Sequence, residues 1–169
     1  MKKTILLLSL AGVCFGSSFF SRGDVAPINN ELYKKECVSC HMGYQPGLLP
    51  SKSWTYMMNN LEHHFGTDAS LDKVDRDAIL KYLTANASEN ATQYKRSAKI
   101  TASVDESKIY KSISEIPYII QKHRKIDQKL INQKDVGGLS KCMACHTTAD
   151  KGVYGDDYIK IPNYGRWDD

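Results

Sequence analysis

The chain has 169 residues, 41% of them hydrophobic, and a formal charge of +4. That length holds one ordinary domain or two small ones and excludes an elaborate multidomain assembly. Three of the cations, Lys2, Lys3 and Arg22, stand in a leader without acids, so the remainder carries about +1 and bulk charge gives no basis for nucleic-acid binding.

Residues 1–22 read as an export signal: Lys2 and Lys3 open it, residues 4–20 are free of charge, and Gly16, Ser17 and Ser18 supply small residues near its end. A retained anchor fits less well, because the uncharged run sits at the lower limit for crossing a bilayer and no stop-transfer pattern follows. A lipoprotein signal ending at Cys14 would want a small residue where Val13 stands. Beyond the leader, a helix is expected from about Asn30 into Cys37, followed by a turn-rich link through Gly43, Pro46, Gly47 and Pro50. Residues 51–65 predict a helix capped by Ser51 or Ser53, with Trp54, Met57, Met58, Leu61 and Phe65 at helical spacing. After Gly66, residues 72–85 predict another, with Asp72 and Asp75 at its start and Ile79, Leu80 and Leu83 turned inward. Residues 86–101 are rich in Asn, Ser, Thr, Ala and Lys and read as a linker. The chain is therefore expected to divide into 23–88, a connection at 89–104, and 105–169. In the second part Ser114 is expected to cap a helix with Pro117 in its first turn and Ile116, Ile119, Ile120 and Ile126 on one face. Gly137-Gly138 breaks the chain again, and the tail, rich in Gly, Tyr and Asp, is expected to be irregular. The fold class is mainly α, with little or no β-sheet.

Of five cysteines, Cys14 lies in the leader; the other four form two pairs with identical spacing, each followed at once by histidine. The segments are Cys37-Val38-Ser39-Cys40-His41 and Cys142-Met143-Ala144-Cys145-His146, the attachment pattern of a c-type haem. Two cysteines three residues apart lie on one side of a helical turn, where both sulfurs can bond the haem vinyl groups while the adjacent histidine takes the iron. A zinc site would leave the repeated histidine unexplained, and a thioredoxin-like site would need one pair placed between a strand and a helix. The expectation is a small helical c-type cytochrome fold packed around two covalently bound haem c groups. Cys37, Cys40, Cys142 and Cys145 anchor them, and His41 and His146 are proximal ligands.

Three histidines remain, His63, His64 and His123, for two open axial positions. On a helical wheel His64 falls beside Met57 at the edge of the apolar stripe, and His63 points to solvent. His123 lies in the middle of its isoleucine stripe, flanked by Lys122, Arg124 and Lys125, whose charged ends would project around a haem edge. Of the methionines, Met42 and Met143 sit against the attachment motifs with poor reach, and Met57 and Met58 read as packing residues. His64 and His123 are thus the candidate distal ligands. With histidine on both faces, each iron would be low-spin and lower in potential than a His/Met haem.

Residues around and between the motifs carry a further likeness: Glu36 to Pro50, where the first motif runs on into Met42 to Pro50, then Ser53-Trp54, His64-Phe65-Gly66, Ala69 to Asp72, Tyr82 to Ala87, Ile116-Pro117, Lys122-His123-Arg124 and Ile159 to Pro162. Over nearly the whole length past the leader the chain resembles a family of small periplasmic dihaem cytochromes c of bacteria. The resemblance implies distal ligation by His64 at the first haem and His123 at the second. It also implies electron transfer with another periplasmic haem protein or a membrane-bound cytochrome b. From Lys95 to Lys134 ten Lys or Arg stand against four acids, a solvated face, a docking surface for an acidic redox partner, or local compensation for buried haem propionates. No phosphate loop, paired carboxylates in a cleft or nucleophile triad is evident, so a periplasmic electron carrier is expected rather than an enzyme. The alternative is a dihaem enzyme or gas-binding protein with one open iron.

Overall fold

The computed structural model describes residues 23–167; the expected leader at 1–22 lies outside the described residues. Helix α1, Glu31–Cys37, starts where Asn30 accepts a hydrogen bond from the Tyr33 amide, and it carries the first cysteine at its end. A 3-10 turn at Pro46–Leu48 leads into α2, Ser51–Met58. Helix α3, Lys73–Ala85, is capped by Asp72, which accepts from the amides of Val74 and Asp75, and it buries Ile79 and Leu83 as its spacing predicts.

Helix α2 is shorter than the expected 51–65. It stops at Met58, a 3-10 turn covers Leu61–His63, and His64 pairs with Thr67 across a bridge. Phe65 at φ 50° and Gly66 at φ 87° carry the turn, a conformation that ends any right-handed helix. Neither serine caps α2. The Ser51 amide donates instead to Glu89 at 2.9 Å, and the hydroxyl of fully buried Ser53 accepts from the Tyr110 amide at 3.1 Å.

Residues 86–101, expected to pack poorly, are folded and bury one face. A 3-10 turn at Ser88–Asn90 precedes α4, Lys95–Ser103, and Ala87, Ser88, Ser97 and Ile100 are fully buried. Small side chains here do not mark a loose chain; they let backbones approach closely. A Cβ on Gly47 would stand 2.4 Å from the Ser97 hydroxyl, so glycine at one position and serine at the other let α4 lie against the turn at Pro46–Leu48.

Helix α5, Pro117–His123, has proline at its first position as expected, but its N-terminus is satisfied from outside: the Tyr118 amide donates to Ser103 at the end of α4, 3.2 Å away. Ser114 does not cap it, and Ile120, expected inward, is 52% exposed. The helix ends at His123, before Ile126. Helix α6, Gln128–Asn132, follows, capped by Asp127. The tail forms a hairpin of two-residue strands, β1 (Lys160–Ile161) and β2 (Gly165–Arg166), with Asn163 at positive φ in the turn. Lys160 donates to the Cys145 carbonyl, which ties this hairpin to the second cysteine pair. The core gathers Leu48, Leu49, Trp54, Ile79 and Leu83 from the first part of the chain, Ile100 from the connection, and Ile116, Ala149 and Tyr154 from the second part. The fold is mostly helical, as expected.

Candidate cofactor site

Both Cys-x-x-Cys-His segments open onto one cavity of about 810 Å³, lined by Cys37, Cys40, His41, Cys142, Cys145 and His146. His64 and His123 line the same cavity. The first motif runs off the end of α1, and the second forms a 3-10 turn at Cys142–Ala144 held under the tail hairpin. The four cysteines are not disulfide-bonded. Burial pushes the Cys37 and Cys142 thiols up to about 11, the opposite of the thiolate that redox exchange requires.

The four histidines fall into two pairs. The ring centres of His41 and His64 are 6.1 Å apart with their planes at 25°, and those of His123 and His146 are 6.0 Å apart at 74°. Two metal–imidazole bonds of about 2.0 Å, each added to a ring radius of about 1.1 Å, put the centres of a ligating pair about 6.2 Å apart. Each pair therefore has the spacing to hold one iron. His63 stands outside: its side chain is 81% exposed beside Glu62.

Ring orientation is fixed by the other nitrogen. His41 Nδ1 lies 2.7 Å from the Met42 carbonyl and His123 Nδ1 2.7 Å from the Ile119 carbonyl, so donation from Nδ1 leaves Nε2 with its lone pair turned outward for a metal. Burial, and then the neighbouring His123, holds His146 well below its usual range, at about 4. His64 is also lowered, by burial first and by His41 second. Both favour the neutral imidazole that a metal needs.

Apolar walls complete the site. Trp54, Met57 and Met58 line it from α2, and Trp54 is fixed by donation from its indole to the Pro46 carbonyl at 2.8 Å. Met58 is buried, Met42 packs against the core and Met143 is 44% exposed, while the imidazoles occupy the facing positions. Tyr44 and Tyr154 each set a ring beside the histidine of an attachment motif, 5.2 Å from His41 and 5.4 Å from His146. Tyr44 then donates to the Ser140 carbonyl at 2.6 Å, and Tyr154 donates to Gln45 at 2.7 Å. Gln45, fully buried, donates in turn to the Ala149 carbonyl at 2.6 Å. These bonds stitch the first motif's loop to the second motif's.

Sequence reasoning passed over Gln45 and Arg96. Arg96 lines the cavity from α4, in the stretch expected as linker. The only hint was Ile100 four residues on, a single large apolar residue at helical spacing in a polar run.

Comparison with known proteins agrees with this geometry. A family model described as dihaem cytochrome c matches residues 33–154. A dihaem cytochrome c from Shewanella baltica OS155 is 36% identical with a TM-score of 0.67, covering 82% of this chain and 98% of its own. One from Rhodobacter sphaeroides is 34% identical with a TM-score of 0.67, covering 76% of this chain and 98% of its own. No curated protein matches. The cavity, the two attachment motifs and these likenesses agree on two haem c groups as cofactors, and the chain belongs to the dihaem cytochrome c family.

Proposed function

We propose that this protein is a periplasmic single-electron carrier in which His41 with His64, and His146 with His123, ligate the two irons. The observation that carries the reading is the pair of imidazole separations, 6.1 and 6.0 Å, inside one cavity. Bound haem supplies a one-electron change at iron between ferric and ferrous. Everything else is the work of the chain. Cys37, Cys40, Cys142 and Cys145 tether the groups, the Nδ1 bonds of His41 and His123 hold the rings in register, and the shared cavity keeps the two sites adjacent. With two imidazoles on each iron no position stays open for a substrate, which argues for a carrier and against an enzyme.

The charged leader with its uncharged run supports export to the periplasm. The partner is an acidic redox protein, another periplasmic haem protein or a membrane-bound cytochrome b. Lys122 and Lys141 line the cavity beside the second motif, and exposed Arg124, Lys125 and Lys129 continue the positive surface. Electrostatic steering by that surface makes reduction by such a partner slow as salt rises; a flat salt dependence removes the docking surface from the proposal.

Optical and EPR spectra of the ferric and ferrous protein, with and without carbon monoxide, test the ligation. Two low-spin haems indifferent to the gas support the carrier. A high-spin or gas-binding haem refutes it in favour of an enzyme or sensor.

A further inference from the structure

Arg96 is a cation in the wall of the cofactor cavity with its side chain only 15% exposed, and a charge so placed needs compensation. Its guanidinium is held on several sides. Nη1 donates to the Tyr118 hydroxyl at 3.1 Å, Nη2 donates to the Tyr154 carbonyl, and Cζ lies 5.9 Å from the centre of the Tyr154 ring, the ring that meets His146. Nε faces Asp24, whose Oδ1 is 3.4 Å away and whose side chain is 18% exposed. No hydrogen bond is made by that buried Nε, so the pair is held by charge.

Asp24 is itself fixed. Its Oδ2 accepts from the Tyr154 amide at 2.6 Å, its carbonyl accepts from the Arg96 amide at 3.0 Å, and the next residue, fully buried Val25, donates to the Gly152 carbonyl at 3.1 Å. Gly152 stands at φ 72°, and a Cβ there would come within 2.7 Å of the Val25 carbonyl oxygen. The first described residues of the chain thus bring one anion to one cation at the wall of the second site. Other charges on this side, Lys99 over the Tyr118 ring and Asp156, are exposed to solvent and better screened.

We propose that Arg96 is the residue that sets the reduction potential of the second haem, and that Asp24 moderates it as a built-in counter-charge. Reduction lowers the charge at iron by one, so a fixed cation nearby favours the ferrous state and a fixed anion the ferric state; in a poorly solvated wall neither is screened as a surface charge is. The inference rests on the haem reading above, and its test separates the two.

Redox titration of the complete haem-loaded protein, with haem content and low-spin spectra checked first, is the experiment. The His64→Ala and His123→Ala proteins assign each titration step to its haem. Arg96→Gln is expected to lower the second haem's potential, Arg96→Lys to keep it near the wild-type value, and Asp24→Asn to raise it, all with the first haem's step unmoved. Movement of both steps together, Arg96→Gln and Asp24→Asn shifting in the same direction, or no shift in either overturns the proposal while leaving two intact haems to support the site itself. Should Arg96→Gln lose a haem, the other two variants decide: a rise with Asp24→Asn beside an unchanged Arg96→Lys upholds it, and any other pattern refutes it.

Discussion

The two imidazole pairs have nearly the same separation and very different supports. In the first, His64 sits on a turn between a 3-10 segment and Phe65 at φ 50°, with Phe65 68% exposed, and the rings are near parallel at 25°. In the second, His123 ends α5 with Nδ1 fixed to its own helix, His146 is lowered by burial to about 4, and the rings stand at 74°. On the proposed ligation the difference teaches that spacing is the strict demand, because one iron would need both nitrogens at bond length. The element that delivers the ring, its tilt and its exposure are left open, and these are the quantities that can make two sites in one small chain behave differently.

Removing a distal ring is the severest way to break the comparison. His64→Ala and His123→Ala are each expected to leave both haems attached and to open one iron, giving one high-spin haem per chain that binds carbon monoxide. Added imidazole should separate the two variants. The His64 turn is bordered by exposed Phe65, Gly66, Thr67 and Asp68, so imidazole restores the low-spin spectrum there at lower concentration than at the position closed by α5. Equal concentrations would mean that the two pockets are equally open once the haems are in place.

Ring tilt gives a spectroscopic contrast in the unaltered protein. Near-parallel imidazoles act on one of the two iron orbitals that can overlap their π systems and split the pair in energy; near-perpendicular rings treat both alike and leave the pair close in energy. EPR of the ferric protein is therefore expected to show two low-spin species, a rhombic signal from the first haem and a signal with a much larger maximum g from the second. Loss of the rhombic signal in His64→Ala, and of the other in His123→Ala, completes the assignment. A single uniform species would erase the distinction between 25° and 74°.

Stability should not follow the division between the sites, because α4 and the Gln45–Tyr154 bond tie both motifs into one frame. Gly47→Ala places a methyl 2.4 Å from the Ser97 hydroxyl and is expected to cost about 1–3 kcal/mol in denaturant unfolding. Ser97→Ala alone is expected to be nearly neutral, since that buried hydroxyl makes no hydrogen bond. Together the two changes should recover most of the loss, because the nearest remaining contacts are at 3.5 and 3.6 Å. Both haem signals are expected to unfold in one transition; two separate transitions would show that the sites are independent units.

What the sequence made legible follows from how local each cause is. The attachment motifs need only their own spacing, and α3 carries its own cap at Asp72 and its own stripe at Ile79 and Leu83. The N-terminal caps of helices α2 and α5 are not legible in the sequence, because their first-turn amides are satisfied by Glu89 and Ser103, partners distant in sequence. Helix α4 was missed for a related reason: its buried face is made of Ser97 and Ile100 against Gly47, and small residues signal close packing only when the opposing backbone is known. His64 was chosen from a wheel for a helix that stops at Met58. In the structure the bridge to Thr67, rather than helical periodicity, faces His64 toward His41.

That last point is why the smallest expected effect is informative. His63 and His64 are neighbours on one irregular turn, and nothing in residue type separates them as ligands. The structure separates them by direction: the His63 side chain is 81% exposed beside Glu62, with Nε2 3.8 Å from its carboxylate, while the His64 ring lies 6.1 Å from the His41 ring in the cavity. His63→Ala is therefore expected to leave the optical and EPR spectra of both haems unchanged and to alter stability by no more than about 0.5 kcal/mol, as for other exposed positions. A new high-spin signal in this variant, with His64→Ala remaining low-spin, would move the first site's distal ligand by one residue. The near-parallel geometry and the rhombic signal assigned to it would then fall together.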